Sequence, residues 1–190
     1  SAPSCATLHV AALLALVIGQ FPAAPAAAEH WPQWRGPRSD GISREAKIPE
    51  GWSKSKHVAW RTPLPGRAGA TPCIWGDRIY LTSNEGDDLV LCCLATGDGK
   101  ILWQRKVGAG NQDARAGEGN SASPSPCTDG ERVWVFFGTG ILACFSADGN
   151  ELWRCDVNER FGKLDIQFGM TSTPVLDGDA VYLQLIHGPM

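Results

Sequence analysis

Two adjacent cysteines, Cys92 and Cys93, stand in the stretch "LVLCCLATGDGKILW". Adjacent thiols are a redox-capable pair, and a bridge between them would make a rigid plate able to grip a planar cofactor. Against this, neighbouring Cα atoms lie about 3.8 Å apart, below the usual disulfide range of roughly 4.4 to 6.8 Å. Successive strand side chains also point to opposite faces. Two buried thiols acting as small core hydrophobes are therefore the expectation. The remaining cysteines are Cys5, Cys73, Cys127, Cys144 and Cys155, and no C-x-x-C spacing of the zinc type occurs among them. His30, His57 and His187 are scattered singly, so no metal site is expected from them. Two longer polar stretches, "GAGNQDARAGEGNSAS" from Gly108 and "NERFGKLDIQFGMTS" from Asn158, offer Asp113, Arg115, Glu118, Asn120, Asp165 and Gln167. Connectors of this kind often carry the functional groups of a rigid scaffold, although most of their polar residues only meet water. No Ser/His/Asp set, carboxylate pair or phosphate loop is present, and no residue is assigned as catalytic, cofactor-binding or metal-ligating.

The elements that would position these groups emerge from an internal repeat. "TPCIWGDRIYL" at Thr71, "SPCTDGERVWV" at Ser125 and "TPVLDGDAVYL" at Thr173 repeat one pattern, with prolines at Pro72, Pro126 and Pro174. A second pattern follows at a fixed distance and ends on tryptophan: "LCCLATGDGKILW" at Trp103, "LACFSADGNELW" at Trp153, and "HVAW" supplying Trp60 in the same slot. A period of roughly 50 residues built from short runs rich in β-branched and aromatic residues is that of a four-stranded propeller blade. Within a unit, Ser/Thr-Pro opens an entry strand, where the missing N–H of proline is tolerated. "GDRIYLTS" is a strand apolar on both faces, "LVLCCL" and "ILACF" are third strands, and "ATGDGK" and "SADGN" are hairpin turns. Blades cannot bury their own faces, so the recurrent Trp60, Trp103 and Trp153 are expected between blades rather than on a ligand. Aligning the units places Cys93 opposite Cys144 and Cys92 opposite Ala143.

The composition agrees with a globular chain. The 190 residues are 43% hydrophobic and 19% charged, with a formal net charge of -3 that gives no electrostatic reason to expect nucleic acid as partner. The N-terminus differs. Leu8–Ile18 is apolar and is followed by small residues at A-x-A spacing, the pattern of a signal peptide cleaved after Ala28, with a buried globular helix as the alternative. The run is too short for a transmembrane helix, which needs about 20 residues. The basic n-region and initiator methionine are absent, which fits a reading frame recorded incompletely at its start. The expected organisation is a signal peptide over 1–28, an N-terminal arm over 29–58 and propeller repeats over 59–190, the whole exported to the periplasm or secreted.

"CLATGDGKILW" resembles the A-x-T-G-K-x-x-W motif of the pyrroloquinoline-quinone (PQQ) type propeller repeat, and "FSADGNELW" is a weaker copy. "HWPQWRGPRSDGIS" at His30 resembles the opening of a group of exported bacterial PQQ-like propeller proteins. The resemblance implies an all-β propeller of four-stranded blades, of which this chain would hold about three out of seven or eight, as a fragment of a longer protein. It implies two rival functions. One is a binding or scaffold module that meets a protein or small-molecule ligand on a propeller face. The other is a quinoprotein dehydrogenase that uses PQQ and calcium, whose site would lie partly beyond the fragment. Dehydrogenases of this type carry a vicinal disulfide packed on the quinone, but that pair lies outside the repeat motif, whereas Cys92-Cys93 leads straight into the turn.

Overall fold

The computed structural model describes residues 28–46, 48–67, 69–114, 119–164 and 169–186. The apolar stretch Leu8–Ile18, and with it the expected signal peptide, lies outside the described residues. Within them, no helix is long and apolar enough to cross a membrane.

The first unit is a four-stranded antiparallel sheet of β1 (Cys73–Trp75), β2 (Arg78–Glu85), β3 (Asp88–Ala95) and β4 (Ile101–Gly108), paired in chain order. The second repeats it with β7 (Cys127–Thr128), β8 (Arg132–Phe136), β9 (Ile141–Ser146) and β10 (Glu151–Asp156). A third begins with β11 (Val175–Asp177) and β12 (Ala180–Tyr182). These are successive propeller blades. Each first strand starts one residue after its proline, so the residue that cannot donate stays outside the ladder.

The middle strands of the first two sheets are buried on both faces, as their uniformly apolar runs require. Leu89, Leu91 and Cys93 of β3 turn toward the second unit and join Val133, Val135, Ala143 and Phe145 in one core. Val90, Cys92 and Leu94 turn the other way, toward Leu81, Ile79 and Leu64. In the second unit Cys127, Trp134 and Cys144 face Leu176 and Val181 of the third. Burying a Val, Leu or Phe side chain contributes about 1.5–3 kcal/mol, and the largest core is shared between the first two units.

Trp60 and Trp103 sit on the hairpin turn of the following blade, whereas Trp153 is exposed. Trp60 Nε1 donates to the Thr96 carbonyl at 2.8 Å, in the β3–β4 turn of the first unit. Trp103 Nε1 donates to the Ala147 carbonyl at 3.2 Å, in the corresponding turn of the second. Each indole covers the turn glycine: Gly99, with φ +70°, lies under Trp60, and Gly149, with φ +83°, under Trp103. The Leu before each tryptophan is a bulge residue, since the register shifts between Ile101 and Trp103 and again between Glu151 and Trp153. The bulge turns the following indole toward the next unit and leaves Leu102 and Leu152 outside.

Three local features go beyond the repeat pattern. Trp60 does not lie on a strand: its segment has no ladder partner and is held by side chains, with Thr62 Oγ1 donating to the Gly99 carbonyl at 2.6 Å. The connector from Asn158 is not wholly irregular. It opens with helix α1 (Val157–Phe161), nucleated because the Asp156 carboxylate accepts from the Asn158 and Glu159 amides. The connector from Gly108 contains a short ladder of β5 (Asp113–Ala114) with β6 (Gly119–Asn120).

Candidate functional site

The residues preceding the three prolines form a ladder from blade to blade. Proline pushes its predecessor into an extended conformation, which leaves that residue's N–H free to point sideways. The Thr71 amide donates to Ser125 Oγ at 2.9 Å, and the Ser125 amide donates to Thr173 Oγ1 at 3.1 Å. These residues border a cavity of about 690 Å³ together with Trp34, Ser123, Tyr182 and Gln184. Its lining carries hydroxyls, amides and aromatic rings but no carboxylate, imidazole or ammonium group.

A second cavity, of about 600 Å³, lies where the two connectors meet the β8–β9 turn. Gly110 and Gln112 come from the first connector, Gly138 and Thr139 from the turn, and Asn158, Glu159, Lys163 and Leu164 from the second connector. Asn158 fastens this wall: its Nδ2 donates to the Thr139 carbonyl at 2.8 Å and its Oδ1 accepts from the Leu164 amide at 3.0 Å. Thr139 Oγ1 and Asn111 Oδ1 are buried without a hydrogen-bond partner among the described residues. Both connectors thus open on one face, as the repeat predicts.

The loop residues singled out in the sequence separate into different roles. Asp113 is exposed and pairs with Arg67 at 3.7 Å, a surface contact of little energy. Asn120 is buried and structural: its Oδ1 accepts from the Ala122 amide at 2.9 Å, and its Nδ2 donates to Asn84 Oδ1 at 3.1 Å. Arg115, Glu118, Asp165 and Gln167 lie outside the described residues. Sequence reasoning passed over Gln112, Thr139, Asn158, Glu159 and Lys163, which line the cleft. The acidic pattern Asp156-x-x-Glu159, a helix N-terminus signal, marked the start of α1 and hence one wall.

Cys92 and Cys93 are both free thiols, buried, and belong to cores on opposite sides of β3. Burial pushes each thiol up to about 11, so neither is a thiolate near neutrality. Neither lines the two cavities. A calcium-bound quinone would need a cluster of carboxylate and amide donors beside a flat apolar platform. Among the described residues no group of three or more His, Cys, Asp or Glu side chains could hold a metal ion, and the acids and bases of the cleft are Glu159 and Lys163 alone. The donor set of these residues does not fit that cofactor.

Comparison with known proteins places the repeat. No curated protein matches the chain. Among solved structures it is similar to a quinohemoprotein alcohol dehydrogenase, ADHIIG, from Pseudomonas putida HK5, at 19% identity and a TM-score of 0.42, over 65% of this chain and 18% of that one. It is also similar to BamB from Moraxella catarrhalis, at 19% identity and a TM-score of 0.33, over 54% of this chain and 30% of that one. The chain therefore spans less than a third of either protein. Residues 51–185, which hold all three units, match the PQQ_2 model, described as outer membrane protein assembly factor BamB, and the chain belongs to that family of β-propeller repeat proteins.

Proposed function

We propose that the chain is part of an exported, longer PQQ-like propeller that works as a binding or scaffold module, with its partner engaged on the connector-bearing face. The observation that carries this reading is the cleft of about 600 Å³ into which both connectors and the β8–β9 turn open. Its wall combines hydrogen-bonding groups with one acid and one base, and two buried polar atoms beside it lack partners. Such groups are normally satisfied in the working state of a protein, by solvent or by a ligand. Among the described residues of the wall no hydroxyl is hydrogen-bonded to Glu159 or Lys163, and its groups suit recognition.

The test uses the full-length protein, with Gln112, an exposed residue of the cleft, replaced by a photo-crosslinking benzoylphenylalanine. A discrete adduct formed in the exporting cell, absent when the label stands at the exposed Lys54, is the expected result. In parallel, PQQ is titrated with calcium and read by tryptophan quenching and dye reduction. Saturable quenching with alcohol-dependent turnover would sink the scaffold reading.

A further inference from the structure

The segment just before the repeats makes a contact that the propeller alone does not require. Three consecutive residues each bond one of three consecutive blades, always at the residue two places after the blade's proline. Trp31 forms a two-way bridge with Ile74 of β1, each amide donating to the other's carbonyl at 2.8 Å. The Thr128 amide of β7 donates to the Pro32 carbonyl at 2.8 Å. Gln33 reaches β11 with its side chain: its Oε1 accepts from the Leu176 amide at 2.8 Å, and its Nε2 donates to the Leu176 carbonyl at 3.3 Å.

The flanking residues hold this segment in place. The His30 ring stacks on Trp75 with centroids 4.4 Å apart, and its Nδ1 accepts from the Gly76 amide at 3.1 Å. The Trp31 indole lies over Gly36, where a Cβ would come within 2.8 Å of the ring. The Gln33 side chain is buried, and its carboxamide copies a peptide group by offering one acceptor and one donor to a single residue of an edge strand. Ile74, Thr128 and Leu176 all stand on first strands, whose outer edges are otherwise unpaired in the sheet order.

We infer that these three edges form a peptide-binding site, and that the arm segment His30–Gly36 is its tethered ligand, a latch that fixes the first strands of three blades relative to one another. The ligand chemistry is an extended residue that pairs in both directions, then a proline carbonyl, then a primary carboxamide. A carboxylate at the third place would meet the Leu176 carbonyl without a proton to give it, so glutamate is rejected where glutamine is held. The arm lies outside residues 51–185, so the latch is an addition to the family's repeat rather than part of it. It is independent of what the connector face binds.

The full-length protein lacking residues 29–36 is titrated with the synthetic peptide HWPQWRGP, and binding is read by calorimetry and by the thermal midpoint. Saturable binding that restores the midpoint of the intact protein is expected. The peptide carrying Gln33→Ala should bind about thirtyfold more weakly, the equivalent of two ordinary hydrogen bonds lost, and Gln33→Glu more weakly still. Equal binding of all three peptides, or no binding to a truncated protein that remains folded, overturns the inference. Should the truncated protein fail to fold, Gln33→Ala in the intact chain decides through amide hydrogen exchange. Exchange at Leu176 should accelerate about tenfold while β3 is unchanged. Unchanged exchange at Leu176 overturns the latch.

Discussion

Cys73, Tyr80, Cys93 and Trp103 form one row across the first sheet, each opposite the next in the strand register. Cys127, Trp134, Cys144 and Trp153 form the same row across the second. Alternating a small sulfur with a large ring gives each blade a face of ridges and hollows, and the cysteines act as fillers there rather than as reactive groups. Cys73 and Cys93 flank Tyr80 from two strands apart, about 9.5 Å by sheet spacing, which no disulfide can span. Burial pushes the Cys92, Cys93 and Cys144 thiols up to about 11 and that of Cys127 up to about 12, against an ordinary value of 9.0. A thiol that holds its proton more tightly when folded stabilises the fold fully below its unfolded value. That contribution is lost as pH rises from about 9 toward 11, because the unfolded chain loses its protons first. The urea midpoint of the full-length protein should therefore fall between pH 8 and pH 10.5. In Cys92→Ala, where the second unit already carries Ala143, the accompanying loss of unfolding free energy should be smaller by about 2 kcal/mol. Equal pH slopes for the two proteins would refute this assignment. So would a Cys92–Cys93 bridge found by mass spectrometry of the native protein.

The hairpin turn and the indole that covers it are the element-scale device of the fold. In the second unit the Ser146 amide donates to the Asn150 carbonyl at 2.8 Å, which closes the turn and holds Gly149 beneath Trp103. Gly149 is constrained twice: its φ is +83°, and a Cβ would lie 2.8 Å from Trp103 Cδ2. Gly86, in the β2–β3 turn, has φ +61° but nothing within 4 Å of such a Cβ. Gly86→Ala therefore isolates the backbone cost, about 1–2 kcal/mol, whereas Gly149→Ala adds displacement of the indole and should cost at least about 1 kcal/mol more. Chemical denaturation of both variants measures the difference, and equal losses would show that Trp103 does not rest on the turn. The turns, third strands and blade-facing tryptophans were legible in the sequence because glycine, proline and paired-face hydrophobicity recur at one period. Helix α1 escaped because a five-residue helix leaves too little periodicity, although its Asp156 cap was in view. The arm's contacts were not legible for a different reason. They use backbone groups and one carboxamide 143 residues away from its partner, and neither leaves a pattern in composition or spacing.

At the scale of the molecule, each blade completes its neighbour, so the outer faces of the three units show what a blade lacks when it stands at an end. Tyr182 occupies the position of Tyr80 and Trp134, which are 1% and 5% exposed, yet it is 59% exposed itself. Trp153 repeats Trp103 but is 43% exposed, with no hairpin glycine beneath it among the described residues. In a longer ring the turn of the next unit would cover Trp153 as Gly149 covers Trp103. Residues 29–190 expressed alone should therefore self-associate by light scattering, because apolar blade faces and an unpaired edge remain open. Their fluorescence should include a component readily quenched by iodide that Trp153→Phe reduces and Trp103→Phe does not, the rest of it coming from Trp34 and Trp52, which are also exposed. In the full-length protein the part of that component due to Trp153 should vanish, so that Trp153→Phe no longer changes the quenching. There Trp153→Ala should destabilise by about 3–5 kcal/mol, as expected for a buried aromatic ring and as Trp103→Ala should in the same protein. A Trp153 that stays accessible to iodide in the full-length chain would mean that the blade-to-blade rule stops at the second unit, and that this indole faces a partner or solvent instead of another turn.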